Sequence, residues 1–164
     1  MIRPMALADV PRVAEIHVFG WRTAFRGIVS DEILFGKRSV AGSMQRFKET
    51  LGSGEYGETY VFDDGLIKAF MTIGVCRDED KQNAFELGGI YVEPLMKRQG
   101  IGASLVEFCE KIATERGYKE ICLWVLEGNY NSQRFYEKMG FAADGTRKFL
   151  ENIQATATRY VKLL

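Results

Sequence analysis

Residues 91–112 read YVEPLMKRQGIGASLVEFCEKI, and two glycines, Gly100 and Gly102, stand where a strongly helical pattern begins. A glycine in a helix costs about 1 kcal/mol relative to alanine, so two of them at a helix start need a physical reason. One explanation is that another molecule comes very close to the backbone at this point. The other explanation is that the glycines only make a tight turn from a strand into a helix.

The molecule that approaches the backbone in the first explanation would be an anion. The N-terminus of a helix carries unpaired amides and the positive end of the helix dipole. Gly100 and Gly102 leave those amides free of a neighbouring Cβ, and Lys97 and Arg98 add positive charge. The segment lacks the Gly-Lys-Ser/Thr end of a Walker loop, and Leu105 stands where a dinucleotide fingerprint has its third glycine. The pyrophosphate of a nucleotide-bearing thiol cofactor remains a candidate.

The elements around this loop predict a mixed α/β fold. Strand 85–92, helix 100–116 and strand 120–126 form a βαβ unit, because the last segment is apolar on both faces, as a central parallel strand is. Before that unit, residues 59–75 predict an antiparallel hairpin, and the glycine pair 88–89 predicts a bulge or a close backbone approach. The other predicted elements are a strand at residues 1–5, a helix capped by Asp9 with Pro11 in its first turn, a helix capped by Ser30, a loop at 53–58, a helix at 132–139, and strands within 140–150 and 157–164.

Composition predicts one globular domain over residues 1–164, without a repeat or a long linker. Lys and Arg equal Asp and Glu at 22 each, so no net basic field attracts nucleic acid or an anionic membrane. No secretory hydrophobic segment or membrane-spanning run is present. Three separated cysteines, Cys76, Cys109 and Cys122, predict reduced thiols in a cytoplasmic protein, and a lone histidine argues against structural zinc.

Two motifs follow one another in the second half of the chain. The first is KRQGIG at residues 97–102, and the second is Asn129, then Ser132, then Phe135 and Tyr136, then Gly140 and Phe141. With both motifs in order and correctly spaced, residues 86–141 resemble the GNAT superfamily of acyl-CoA-dependent N-acetyltransferases. The phosphate loop of that family begins with Arg or Gln, where this sequence has Lys97. Residues 1–35 look like the helical front of many bacterial members.

The resemblance implies a GNAT-like mixed sheet with antiparallel N-terminal strands, a late parallel crossover and helices on both faces. It implies an enzyme that moves an acetyl group from acetyl-CoA to a primary amine by direct attack, without a metal ion. The acceptor would be a small-molecule or peptide amine. Nucleic acid and membrane are not expected as partners, and a homodimer is open because dimers are common in the family.

The resemblance also implies which residues contact the cofactor. The pantetheine arm would lie along Ile90, Tyr91 and Val92, and the pyrophosphate at Lys97, Arg98, Gln99, Gly100, Ile101, Gly102 and Ala103. Further contacts would come from Asn129, Ser132 and Phe135, although Asn129 also fits the cap of the following helix.

Tyr136 and Glu86 are the predicted catalytic residues. The resemblance implies that Tyr136 protonates the departing thiolate, whereas helical spacing with Phe135 and Met139 also fits a core aromatic. Glu86 would take the proton of the amine, directly or through water, and the alternative is an exposed strand-end charge or a partner for an arginine. His17 is more easily explained as a core residue than as a catalytic one.

Two other functions also fit the sequence. One is a non-catalytic acyl-CoA-binding regulatory module, which would bind CoA without turnover. The other is an unrelated interaction domain whose glycine loop is only a turn, which would not bind CoA. The sequence does not identify the acceptor, since small amines, polyamines, amino acids, protein N-termini and antibiotics are all compatible with it.

Overall fold

A seven-stranded sheet forms the centre of the computed structural model, which describes residues 1–53 and 57–164. The strands are β1 (Ile2–Pro4), β2 (Glu58–Asp63), β3 (Ile67–Val75), β4 (Phe85–Val92), β5 (Glu120–Leu126), β6 (Ala142–Leu150) and β7 (Ala155–Leu163). Their order across the sheet is β1-β2-β3-β4-β5-β7-β6. The pair β4–β5 is parallel, and the other neighbouring pairs are antiparallel. The predicted mixed fold with a late parallel crossover is therefore confirmed.

Four α-helices flank the sheet: α1 (Val10–Ala24), α2 (Val40–Thr50), α3 (Ile101–Glu115) and α4 (Tyr130–Lys138). On one face, α3 and α4 pack on β3, β4 and β5 around Leu105, Leu123 and Tyr136. On the other face, α1 and α2 cover β2 and β3 around Ile16, Phe47 and Phe70. Helices on both faces are thus confirmed. In the described residues, no helix is long and apolar enough to cross a membrane.

Two local predictions near the N-terminus need correction, and one helix was not predicted. The Asp9 side chain does not cap α1, because it accepts hydrogen bonds from the Ala6 amide at 2.8 Å and from Arg3. The helix predicted after Ser30 is a short π-type segment, Glu32–Lys37, whose start uses the carbonyl of Ser30 and not its hydroxyl. The helix α2 was not predicted. The loop predicted at 53–58 includes residues 54–56, which lie outside the described residues.

The parallel strands β4 and β5 pair only at their beginnings, through Phe85 with Ile121 and Glu86 with Cys122. Beyond these pairs, residues 87–92 and 123–126 form no ladder with each other in the described structure. On the β3 side of β4, Thr72 pairs with Gly89 and Ile73 with Leu87, so Gly88 is the extra residue of a bulge, as predicted. The two strands therefore diverge and leave a gap in the middle of the sheet.

Candidate active site

A cavity of about 850 Å³ opens where β4 and β5 diverge. Its wall consists of the end of α1, the end of β4, the loop into α3, the first turn of α3, the end of β5, and α4. The predicted site residues that line it are Ile90, Tyr91, Val92, Lys97, Arg98, Gly100, Ile101, Gly102, Ala103, Asn129, Ser132, Phe135 and Tyr136. Gln99 and Glu86 are not part of this wall. Its volume is that of a typical small-molecule or cofactor pocket.

The two glycines at the start of α3 have different local roles. Gly100 precedes the first residue of α3 with φ of +79°, a left-handed conformation that is costly for a residue with a Cβ. Gly102 has an ordinary helical place, but a Cβ there would lie 3.2 Å from Cζ of Phe135 on α4. The turn therefore requires the first glycine, and the close approach of an aromatic ring requires the second.

The N-terminus of α3 offers donors to this cavity. Ile101, Gly102 and Ala103 belong to the first turn, whose amides have no acceptor within the helix. Gly100 has no side chain that could cap them. Lys97 and Arg98 lie beside the turn and also line the cavity. Free amides, the positive end of the helix dipole and two cations make this end of the cavity suited to an anion.

Tyr136 lies at the other side of the same cavity, on α4. Tyr136 is 9% exposed, and its ring packs edge-on against the rings of Phe135 and Phe141, whose centroids are 5.1 and 5.8 Å away. Burial raises the pKa of its phenol well above the ordinary value, so the hydroxyl stays protonated at neutral pH. The residue therefore packs like a core aromatic and also presents a proton donor to the cavity.

Asn129 caps α4, as one of its two interpretations predicted. Its side-chain oxygen accepts a hydrogen bond from the Ser132 amide at 3.3 Å. Asn129 is buried and also lines the cavity, so the cap does not exclude a contact with a ligand.

A second cavity, of about 470 Å³, adjoins the first one on the face of the sheet that α1 and α2 cover. The two cavities share Gly88, Gly89 and Tyr91 as lining residues, so they meet at the bulge of β4. The second cavity is also lined by His17, Arg46, Glu58, Thr72 and Arg77. The two cavities are therefore neighbours that share a wall at Gly88 and Gly89.

His17 is a neutral residue of this second cavity. Burial, with a smaller contribution from the charges of Arg46 and Arg38, lowers its pKa to about 3. The guanidinium of Arg46 lies 3.3 Å from Nε2 and can only donate, so Nε2 accepts and Nδ1 carries the proton towards Ser43 Oγ at 2.9 Å. A histidine held neutral to such a low pH is a poor proton acceptor.

Glu86 points away from α3 and is buried. Its carboxylate accepts hydrogen bonds from the Arg77 side chain at 3.0 Å (Nε to Oε2) and 2.7 Å (NH2 to Oε1), and Oε2 also accepts from the Arg77 amide at 3.3 Å. Glu86 lines neither cavity, whereas Arg77 lines the second one. The alternative of an arginine partner is thus observed, and the catalytic role of Glu86 stays a prediction.

Arg46 is a cavity residue that the sequence analysis missed, because it lies on the unpredicted helix α2. The signal for that helix was present. Ser39 accepts from the Gly42 amide as an N-cap, and Val40, Met44, Phe47 and Leu51 recur at helical spacing and pack on one core.

Cys76, Asp78 and Cys122 form a separate polar cluster near the start of β5, with ligand atoms within 4.8 Å of one another. The carboxylate of Asp78 already accepts hydrogen bonds from Trp124 at 3.0 Å and from Arg159 at 3.1 Å. The Oδ2 atom of Asp78 is therefore already paired with the Arg159 cation and with the indole N–H of Trp124. We propose that no metal ion takes part in the reaction.

Comparison with known proteins gives one family. The family model described as "Acetyltransferase (GNAT) family" matches residues 33–141. An uncharacterized N-acetyltransferase of Bacillus subtilis, YuaI, is 27% identical over 130 residues, which cover 78% of this chain and 72% of that protein. A spermidine N(1)-acetyltransferase of Thermoplasma acidophilum is 25% identical over 88% of this chain and 89% of that protein. The crystal structure of the PaiA N-acetyltransferase from Thermoplasma acidophilum in complex with coenzyme A has the same fold, with a TM-score of 0.76, 22% identity, and coverage of 100% of this chain and 98% of that one.

Proposed function

The chain belongs to the GNAT acetyltransferase family, and on that premise we propose that it transfers an acetyl group from acetyl-CoA to a primary amine by direct attack. The whole chain, residues 1–164, would act as one catalytic domain. The observation that carries this proposal is the cavity between β4 and β5, which joins the N-terminus of α3, the unpaired edge of β4 and the Tyr136 side chain in one space.

In this proposal the cofactor is held at two places. Its pyrophosphate binds the amides of residues 98–103, next to Lys97 and Arg98, where the helix dipole favours negative charge. Its pantetheine arm lies along β4 and uses backbone groups of Ile90, Tyr91 and Val92. In the described structure, the edge of β4 that faces β5 has no strand partner beyond Glu86.

The acceptor would enter from the second cavity. An acetyl group carried along β4 reaches the bulge at Gly88 and Gly89, where the two cavities share their walls. An amine on the α1 and α2 side of the sheet could then attack the thioester carbonyl. A backbone amide near Ile90 would stabilise the oxyanion that forms.

The proposed reaction forms an N–C bond and breaks the C–S bond of the thioester. The amine attacks as the free base, so its ammonium proton leaves to solvent or to Glu86 through water. The tetrahedral intermediate then collapses, and the departing thiolate takes a proton from Tyr136. The nitrogen, which became an ammonium on attack, loses its second proton, and this proton returns through water to the Tyr136 phenolate. The place of Tyr136 in the cavity wall supports this role, since its phenol is protonated at neutral pH. Burial raises the pKa of this phenol and therefore makes it a weaker acid than a free tyrosine.

An acceptor screen tests this proposal most directly. Purified protein is incubated with acetyl-CoA and a panel of amines, and release of free CoA thiol is measured against a reaction without acceptor, which subtracts hydrolysis. Thiol release that depends on an amine supports the enzyme. CoA binding by calorimetry without turnover of any amine would favour the regulatory module instead.

A further inference from the structure

The charges around the second cavity are not balanced. Three charged side chains of the described residues line it, namely Glu58, Arg77 and Arg46. Glu58 is neutralised by Arg116, with N–O distances of 2.6 and 3.0 Å, and Arg77 by Glu86. Among the residues in 1–53 and 57–164, no carboxylate forms an ion pair with Arg46.

The partner that Arg46 does have carries no charge. The Nε2 atom of His17 accepts from its guanidinium at 3.3 Å, and the low pKa of His17 keeps that imidazole neutral. Arg38 adds a second positive charge close by, since both arginines act on the pKa of His17. Arg38 stacks on the Trp21 ring at 3.2 Å from its centroid, and its buried Nε has no hydrogen-bond partner in the described part of the chain. This end of the cavity is therefore positive.

From this imbalance we infer that the acceptor is a small amine that also carries a carboxylate group, as a free amino acid does, and that Arg46 binds the carboxylate. The inference rests on the proposed acetyl transfer. A guanidinium presents a planar pair of donors that matches a carboxylate, and the pair is stronger than a neutral hydrogen bond. A volume of about 470 Å³ fits a small ligand.

The same charges argue against a polyamine. A chain with several ammonium groups needs carboxylates to bind it, and Glu58, the one carboxylate lining this cavity in the described structure, is already held by Arg116 and by the Tyr60 hydroxyl at 2.8 Å. Arg46 would repel such a ligand. The spermidine acetyltransferase among the relatives therefore does not define the acceptor class of this chain.

The test compares L-amino acids with their carboxamides and with spermidine as acceptors, under saturating acetyl-CoA. We expect kcat/KM to be at least about 10-fold higher for the best amino acid than for its carboxamide. The amine of a carboxamide has the lower pKa and supplies more free base, so amine availability would bias the result in the opposite direction. Equal or faster turnover of the carboxamides or of spermidine would overturn the inference.

Variants of α2 locate the effect. Arg46→Gln should raise KM for the amino acid by roughly 10- to 100-fold and should not raise KM for the carboxamide. Arg46→Lys, which keeps the charge but loses the paired donors, should lie between. Lys48→Gln removes a charge from the same helix outside the cavity wall and should behave like wild type. An Arg46→Gln protein that keeps the wild-type preference would contradict the assignment.

A binding measurement separates this inference from the proposed function. Calorimetry of the same amino acids and carboxamides, with CoA present, needs no turnover. Carboxylate-dependent binding that Arg46→Gln abolishes, without acetylation of any acceptor, would sustain the ligand class and refute the enzyme. Turnover of amines with no carboxylate preference would sustain the enzyme and refute the ligand class.

Discussion

Replacing Gly102 by valine is expected to weaken CoA binding while the fold survives. A Cβ at this position would lie 3.2 Å from Cζ and 3.4 Å from Cε2 of Phe135, closer than most Cβ contacts in proteins. The γ-carbons of valine extend further, so the ring has to move. Phe135 is half-buried and borders the open cavity, so the ring can turn into the space that the cofactor would occupy.

The size of the effect on CoA binding depends on whether the displaced Phe135 ring meets open space or the bound cofactor. Overpacking of this kind costs about 1–3 kcal/mol. In the free protein the ring moves into open space, so most of this cost is avoided and the folding free energy changes little. In the complex the ring and the cofactor compete for the same volume. At about 1.4 kcal/mol per factor of ten, the Kd for CoA should rise by roughly 5- to 150-fold.

Titration calorimetry with CoA and thermal unfolding, measured together, check this expectation. Phe135→Leu removes the crowded ring, so the double variant should bind CoA more tightly than Gly102→Val alone. Gly100→Ala is the matched control for the turn, because its Cβ meets nothing within 4 Å while its φ of +79° is strained, and it should lower stability by about 1–2 kcal/mol. A folded Gly102→Val protein with wild-type CoA affinity would refute the assignment of the glycine loop.

Three further perturbations test the catalytic assignments and the buried histidine. Tyr136→Phe keeps the ring and removes the hydroxyl, so kcat should fall by the order of 100-fold with a nearly constant KM for acetyl-CoA; a wild-type rate with chemistry rate-limiting would leave only a packing role. Glu86→Gln should lower kcat/KM most at neutral pH and less at high pH, where more of the amine is free base. Arg77→Gln is its control, because it breaks the same ion pair and keeps the carboxylate. An equal loss of activity in Arg77→Gln, or an unaltered pH–rate profile in Glu86→Gln, would count against Glu86 as a base. His17 has a pKa of about 3 when folded and 6.5 when unfolded, so the unfolded state binds more protons in this range and the free energy of unfolding should fall by about 1.4 kcal/mol per unit as pH drops from 6.5 to 3. Denaturant titrations at several pH values measure the free energy of unfolding. Its dependence on pH should be weaker for His17→Asn than for wild type, and an equal dependence would show that His17 is not its source.

The parts of the site that the sequence predicted are those with a local signal. Strand 85–92, the helix after Gly100 and the strand 120–126 each have their own periodicity, and a short parallel connection allows few arrangements. The loop into α3 and the start of α4 must then meet at the gap between two strands. It was the resemblance to the GNAT family, and not local periodicity, that predicted Lys97 and Tyr136 at one cofactor, and both residues line one cavity in the structure.

The parts that the sequence left open depend on contacts between distant residues. Nothing near Gly102 indicates that Phe135, far along the chain, would lie 3.2 Å from its Cβ position. The pairing of Glu86 with Arg77 depends on the register of β3 and β4, in which Glu86 lies opposite Gly74. A carboxylate on a strand gives the same local pattern whether it faces a substrate or an arginine. The pattern therefore could not choose between a base and an ion pair.

The charge of the second cavity bears on how the amine loses its proton. A positive group near an ammonium lowers its pKa, because it favours the neutral amine. Arg46 would act in this way on an acceptor whose carboxylate it binds, and His17 is too weak a base to compete for the proton. Glu86 accepts three hydrogen bonds from Arg77 and lines neither cavity, so the proton would have to reach it through water. On the proposed mechanism, the positive charge of Arg46 therefore makes a general base less important. The pH profile of kcat/KM for Glu86→Gln measures how much Glu86 still contributes to deprotonation.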